Sequence, residues 1–204
     1  MNKYLTHCLD FLFPPRDTAL LVRTLTAENL LEHYREQYRD TITYLLPYTA
    51  PSVQAAITEQ KFYTNHIART LLAAVLQQWY DRQSTARPLY FVPMPLSATR
   101  QRQRGYNQIE TVLRATLPAE QILLAVERTR DTAPQTSLER TARADNVANA
   151  FEGRPAKQAG LPTNAHFVLV DDVLTTGATM NAARAALAPH LLSTQKLTCL
   201  ALAH

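Results

Sequence analysis

Phe167-Val168-Leu169-Val170-Asp171-Asp172-Val173-Leu174-Thr175-Thr176-Gly177-Ala178-Thr179 is the stretch whose reading decides the fold. Four consecutive apolar residues make a strand buried on both faces, the pattern of a parallel sheet covered by helices. Two carboxylates arrive where that strand should end. A Thr-rich turn follows and opens a helix over about residues 178–188, stopped near Pro189. Strand alternation sends Asp171 and Asp172 to opposite faces, so they converge on one ligand only if the chain already turns there. The turn offers hydroxyls and backbone N–H groups at a helix N-terminus, where geometry and dipole both favour an anion. Gly177 would let that backbone approach a phosphate without a Cβ in the way.

The neighbouring segments repeat the alternation. Leu89–Val92 reads as an apolar strand, 106–117 as a helix, Ile122–Val126 as a strand and 137–150 as a helix. Leu197–Ala203 is the last strand. Two stretches, 127–136 and 153–165, read as loops. Upstream, 4–13 forms a short helix ending at Pro14-Pro15, and 26–40 an amphipathic helix capped by Thr26. Ile42–Tyr48 is a strand, a helix lies around 51–60, and 65–81 carries the strongest helical periodicity. Alternating strands and helices predict an α/β fold with a parallel sheet, whose ligands bind beyond the carboxyl ends of the strands.

Composition narrows the chemistry. Only 4 of 204 residues are glycine, where average usage would give about 14. Dinucleotide fingerprints, Walker loops and nucleophile elbows all need glycines that are not there. Two of the four, Gly105 and Gly177, fall where helices are expected to start. Cys8 and Cys199 lie far apart, so a four-cysteine zinc site is excluded, a disulfide framework is not expected, and two reduced thiols fit a cytoplasmic protein. No apolar run approaches the roughly 18 residues of a membrane span. The N-terminus, interrupted by His7 and Asp10, does not read as a signal peptide.

The net charge is +4, and 17 of the 21 basic residues are Arg, the side chain suited to bidentate phosphate binding. Six Arg and one acid lie between Arg82 and Arg114. Within that stretch Val92-Pro93-Met94-Pro95-Leu96 is followed by Arg100-Gln101-Arg102-Gln103-Arg104-Gly105-Tyr106-Asn107-Gln108. Three Arg at alternate positions cannot share one helical face, so a loop or a helix end is expected, with guanidinium groups near the start of the next helix.

The 167–179 stretch resembles, position for position, the phosphoribosyl pyrophosphate (PRPP) motif of type I phosphoribosyltransferases. The resemblance implies that Asp171 and Asp172 are the catalytic, ribose-binding pair. Thr175, Thr176, Gly177, Ala178 and Thr179 would wrap the 5′-phosphate. Val92-Pro93-Met94-Pro95-Leu96 with Arg104-Gly105-Tyr106-Asn107-Gln108 resembles the ComF/GntX-like (competence protein F) branch. So do Phe13-Pro14-Pro15-Arg16, Lys61-Phe62, and Gln135 with Leu138, Arg143, Asn146, Val147, Ala150 and Phe151. By position, Pro93, Met94, Pro95 and Leu96 with Arg104 would bind pyrophosphate, and a mobile loop near 128–138 would bring Arg128 and Arg130 over the substrate.

The implied architecture is a parallel-sheet phosphoribosyltransferase core over 42–204, with an N-terminal mainly helical extension over 1–41. That extension takes the place of the zinc ribbon common in this branch, so no zinc is expected. The implied chemistry is Mg²⁺-dependent transfer of phosphoribose from PRPP to a nitrogen acceptor, with pyrophosphate released. The competing reading is a non-catalytic competence protein in DNA uptake. Its arginines would follow single-stranded nucleic acid, and Tyr106 and Tyr90 would stack on bases. Expected partners are thus PRPP or a nucleotide, a single-stranded nucleic acid, or a second copy in a homodimer.

Overall fold

A computed structural model describes residues 14–83, 86–129, 150–154 and 160–204. Helices α1 (Asp17–Thr24) and α2 (Ala27–Leu31) come first, followed by strands β1 (Gln37–Arg39) and β2 (Ile42–Leu46). Helices α3 (Pro51–Tyr63) and α4 (His66–Tyr80) lead to β3 (Leu89–Pro93). Then come α5 (Ala98–Arg104), α6 (Gln108–Thr116), β4 (Val126–Arg128), β5 (Phe151–Gly153), β6 (His166–Val173), α7 (Ala178–Leu187) and β7 (Lys196–Ala203). Five strands form one sheet in the order β1-β2-β7-β6-β3. Only β1, joined to β2 by a tight turn at Asp40-Thr41, runs antiparallel. The chain is thus the expected α/β protein with a mostly parallel sheet. Among the described residues no helix is long and apolar enough to cross a membrane.

The sheet is covered on both faces, and residue parity decides which face each side chain enters. Phe91, Val168, Val170, Leu200 and Leu202 pack into a core with α1, α2, α3, α4 and α6. Val92, Phe167, Leu169, Cys199 and Ala201 pack into a second core with α7 and the small β4–β5 sheet. This explains the continuous apolar reading of β6, since each of its faces is a core face.

The topology places the site. Strands β3 and β6 are neighbours in parallel register, Val92 beside Leu169. After β3 the chain crosses to the first face, where Ile109, Val112 and Leu113 of α6 pack. After β6 it crosses to the other face, where Met180, Ala183 and Leu187 of α7 pack. Adjacent strands whose connections leave on opposite sides open a crevice at their carboxyl ends, the usual ligand position in such sheets.

Several expectations are corrected. The helix expected over 26–40 stops at Leu31. Tyr34 turns into the core, and the Arg35 N–H donates to Leu45 O at 2.9 Å. An open sheet edge and a buried tyrosine outweigh helix propensity. The strand expected at 122–126 is reduced to one bridge, Ile122 to Phe91. Val126–Arg128 pairs with Phe151–Gly153 instead, which also places strand residues at the edges of both expected loops. The arginine run forms the C-terminal end of the short helix α5, which is capped by Ser97, whose Oγ accepts from Arg100 N. Gly105 ends that helix with φ +74° and does not open the next one. The expected helices at 4–13 and 137–150 (but for Ala150), with Cys8, Arg130 and the motif residues Phe13, Gln135, Leu138, Arg143, Asn146 and Val147, lie outside the described residues.

Candidate functional site

Asp171 and Asp172 sit at the carboxyl end of β6, in the β3–β6 crevice. Because β6 stays extended through Val173, the turn that would bring the two carboxylates together does not occur between them. Asp172 follows the even residues toward α3 and α6. It is 6% exposed and fully engaged. Lys61 Nζ donates to both carboxylate oxygens at 3.3 and 3.1 Å, Gln108 Nε2 donates to Oδ2 at 3.1 Å, and the Val173 N–H to Oδ1 at 2.8 Å. Asp171 follows the odd residues and is half-buried. Its Oδ1 accepts from Asp172 N at 2.9 Å. Burial, then the neighbouring Asp172 charge, push its carboxyl up to about 7. The pair is therefore divided: one carboxylate is neutralised by a lysine, and the other has no cation of its own among the described residues.

The motif 104–108 is the brace behind this arrangement. Arg104 Nη1 donates to Gln108 Oε1 at 3.0 Å, and Gln108 in turn holds Asp172. Asn107 caps α6 by accepting from Ile109 N and Glu110 N, and its Nδ2 donates to Met94 O at 2.8 Å. Tyr106 Oη donates to Gln60 O at 2.8 Å and accepts from Thr64 N. Of the pyrophosphate-loop residues, the Met94 N–H is committed to Val170 O at 2.8 Å, and Pro93 and Pro95 have no N–H. The Leu96 amide and the Arg104 guanidinium remain as donors on this side.

The loop after β6 leaves Thr175, Thr176, Ala178 and Thr179 exposed and Gly177 buried. Its carbonyls are tied back. Arg39 Nη1 donates to Thr175 O at 2.8 Å. His204 Nδ1 lies 2.8 Å from Leu174 O, and its Nε2 lies 3.0 Å from Arg39 Nη1. A neutral imidazole carrying its proton on Nδ1 satisfies both contacts. With the carbonyls so held, the loop turns hydroxyls outward at the start of α7. Gly177 has φ +78°, and a Cβ on it would lie 3.1 Å from Ile42 Cδ1. The glycine is thus favoured by its left-handed backbone and by core packing, whether or not a phosphate approaches it.

Arg128 stands in β4, its guanidinium 5.6 Å from the Phe151 ring centroid. Tyr90 packs on Phe167, ring centroids 6.0 Å apart, and is half-buried. Arg16 forms a bidentate pair at 3.1 Å with the fully buried Glu59, which also accepts from Thr18 and Asn65. The Pro14-Pro15-Arg16 segment is therefore a clasp on α3, with the Arg16 guanidinium also 3.3 Å from the Tyr63 ring centroid.

Lys61 and Gln108 entered the sequence reading only as parts of resembling motifs. Their contact with Asp172 spans 111 and 64 residues, and no local pattern signals it. Arg39 and His204 had no sequence signal at all.

Fold and site together define an α/β protein with an acid pair and a hydroxyl-rich loop at the carboxyl edge of a parallel sheet. One of its relatives bears the name of the branch that the motifs resemble. It is 34% identical over 142 residues to DNA utilization protein YhgH of Escherichia coli (strain K12), covering 64% of this chain and 59% of that protein. It is 30% identical over 126 residues to Competence protein F of Haemophilus influenzae, covering 60% and 54%. The chain thus spans under two thirds of the length of these relatives. No family model matches it. Among solved structures, adenine phosphoribosyltransferase from Leishmania tarentolae aligns at TM-score 0.37 and 15% identity, over 88% of each chain.

Proposed function

We propose that the chain binds PRPP with Mg²⁺ in the β3–β6 crevice and transfers its phosphoribosyl group to a nitrogen acceptor. The supporting observation is the placement of Asp171 at the switch point of the sheet, one turn before a loop that presents three threonine hydroxyls and the N-terminus of α7. The 5′-phosphate would sit on Thr175, Thr176, Gly177, Ala178 and Thr179. The ribose hydroxyls would donate to Asp171 and, once Lys61 moves aside, to Asp172. Pyrophosphate would leave toward Leu96 and Arg104, and the acceptor nitrogen would bond to C1 as the C1–O bond breaks.

The residues present fit a hydrated Mg²⁺ better than a protein-caged one. Among the described residues no three His, Cys, Asp or Glu side chains group together to hold a metal. Asp171 and Asp172 are the carboxylates nearest to where the ion would sit, and substrate oxygens and water would complete its shell. Bound there, it would neutralise charge building on the departing pyrophosphate. Arg104 and Lys61 add fixed positive charge on the same side.

Titration calorimetry tests this. PRPP with Mg²⁺ should bind, and the double variant Asp171→Asn, Asp172→Asn should lose at least tenfold in affinity. Unchanged binding in that variant would refute the assignment. A second reading rests on the relatives' names: a non-catalytic protein of DNA uptake that holds single-stranded DNA on Arg100, Arg102 and Arg104. In α5 the first two of these are exposed and the third is half-buried.

A further inference from the structure

A cavity of about 660 Å³ opens beside the crevice, between the end of α3 and the face of α5. Its walls carry three cations, Lys61, Arg100 and Arg104, with Phe62, Tyr106 and Gln103, and no carboxylate. Arg100 and Arg102 have no carboxylate partner among the described residues. Burial, then Arg100, hold the Arg104 guanidinium below its ordinary range. Lys61 is held by Asp172, whereas Arg100 and Arg104 form no ion pair among the described residues. Two like charges so placed are unfavourable in the free protein and favourable once an anion sits between them.

The second feature is aromatic. Phe62 is 58% exposed and Tyr63 47%, a large apolar surface to leave in water at the end of a helix. The Arg104 guanidinium lies 5.0 Å from the Phe62 centroid, and Tyr63 meets Phe62 edge-on at 6.4 Å. The turn that holds them out is strained. Thr64, a β-branched residue, has φ +52°, and Tyr106 Oη secures its N–H.

We propose that this cleft is a nucleotide site, in which a base stacks on Phe62 and its phosphate sits between Arg100 and Arg104. A planar, anionic ligand is the one chemistry that uses both features at once. An inorganic anion would ignore the ring, and an uncharged aromatic would ignore the cations. The ligand is a free nucleotide or one unit of a single strand. The site stands whether or not PRPP is turned over, although Lys61 and Arg104 border both.

Fluorescence anisotropy without PRPP or Mg²⁺ tests it, using a labelled adenosine monophosphate and, separately, a labelled single-stranded DNA dodecamer. At least one probe should bind. Phe62→Ala should weaken binding by about tenfold, the scale of one base–aromatic stack, and Phe62→Trp should restore it. Arg100→Ala should weaken binding and flatten its salt dependence. Mononucleotide binding makes the ligand a free nucleotide, and binding of the dodecamer alone makes it a strand. Binding of neither probe, or binding that Phe62→Ala leaves intact, overturns the site. Phe62 is exposed, so an unchanged circular dichroism melt confirms that its variants fold. Binding that survives Asp171→Asn keeps this result separate from the PRPP assignment.

Discussion

At the scale of single residues, Asp171 is the group most shaped by its surroundings. Its carboxyl is raised to about 7, first by burial and then by Asp172. A carboxyl raised above its unfolded value binds more protons folded than unfolded, so its contribution to stability is present at low pH. That contribution is lost as pH rises through the folded value. Asp171→Asn removes the charge that burial resists. The variant should melt a few degrees above the parent at pH 8 and level with it near pH 4, by differential scanning calorimetry. Equal melting at both pH values would show that Asp171 is not strained. The same substitution should impair PRPP binding, the expected conflict when a site keeps an unfavourable charge for function. Asp172 is the contrasting case. Lys61 and Gln108 satisfy it, and at rest it joins α3, α6 and β6 more than it reaches solvent.

At the scale of elements, the strongly periodic segments were legible in the sequence. The helix read over 65–81 forms as His66–Tyr80, and Asn65 caps it by accepting from Ile67 N and Ala68 N. The strand that opened the reading extends from His166 to Val173. The segments that failed are those whose state was set by which strand lay alongside them. Gln37–Arg39 became a strand because Ile42–Tyr44 offered an edge. Val126–Arg128 left the main sheet because Phe151–Gly153 lay alongside. Glycines expose the tight joints between elements. A Cβ on Gly153 would lie 2.5 Å from Ala186 O and press on the His190 ring. Gly153→Ala should lower stability by about 1–3 kcal/mol through overpacking. Gly177→Ala should cost about 1–2 kcal/mol for its left-handed backbone. Chemical denaturation measures both, and an unchanged midpoint for Gly153→Ala would mean that β5 does not lie so close to α7.

At the scale of the whole molecule, two cores share one sheet, and β6 and β7 contribute to both. Strand β7 is paired on both sides, by β2 and by β6, whereas β1 has a single neighbour and three exposed residues. Hydrogen exchange should therefore be slowest in Val168–Val170 and Cys199–Ala201 and fast in Gln37–Arg39. Equal protection of β1 would contradict this order. The crevice belongs to this scale as well. It exists because α6 and α7 cover opposite faces, and helices α1–α4 complete the face that carries Lys61.

By itself the sequence determined that this is an α/β protein with a buried parallel strand, an acid pair at its end and a Thr-rich loop behind it. Those features are local, written in runs of apolar residues and in neighbouring side chains. Only the tertiary structure decided that β6 stays extended past both acids, that Lys61 and Gln108 hold Asp172, and that Phe62 stands beside Arg100 and Arg104, which form no ion pair among the described residues. Each of these depends on contacts between residues far apart in the chain. Such contacts follow from how helices pack on a sheet, and no residue's immediate neighbours encode them.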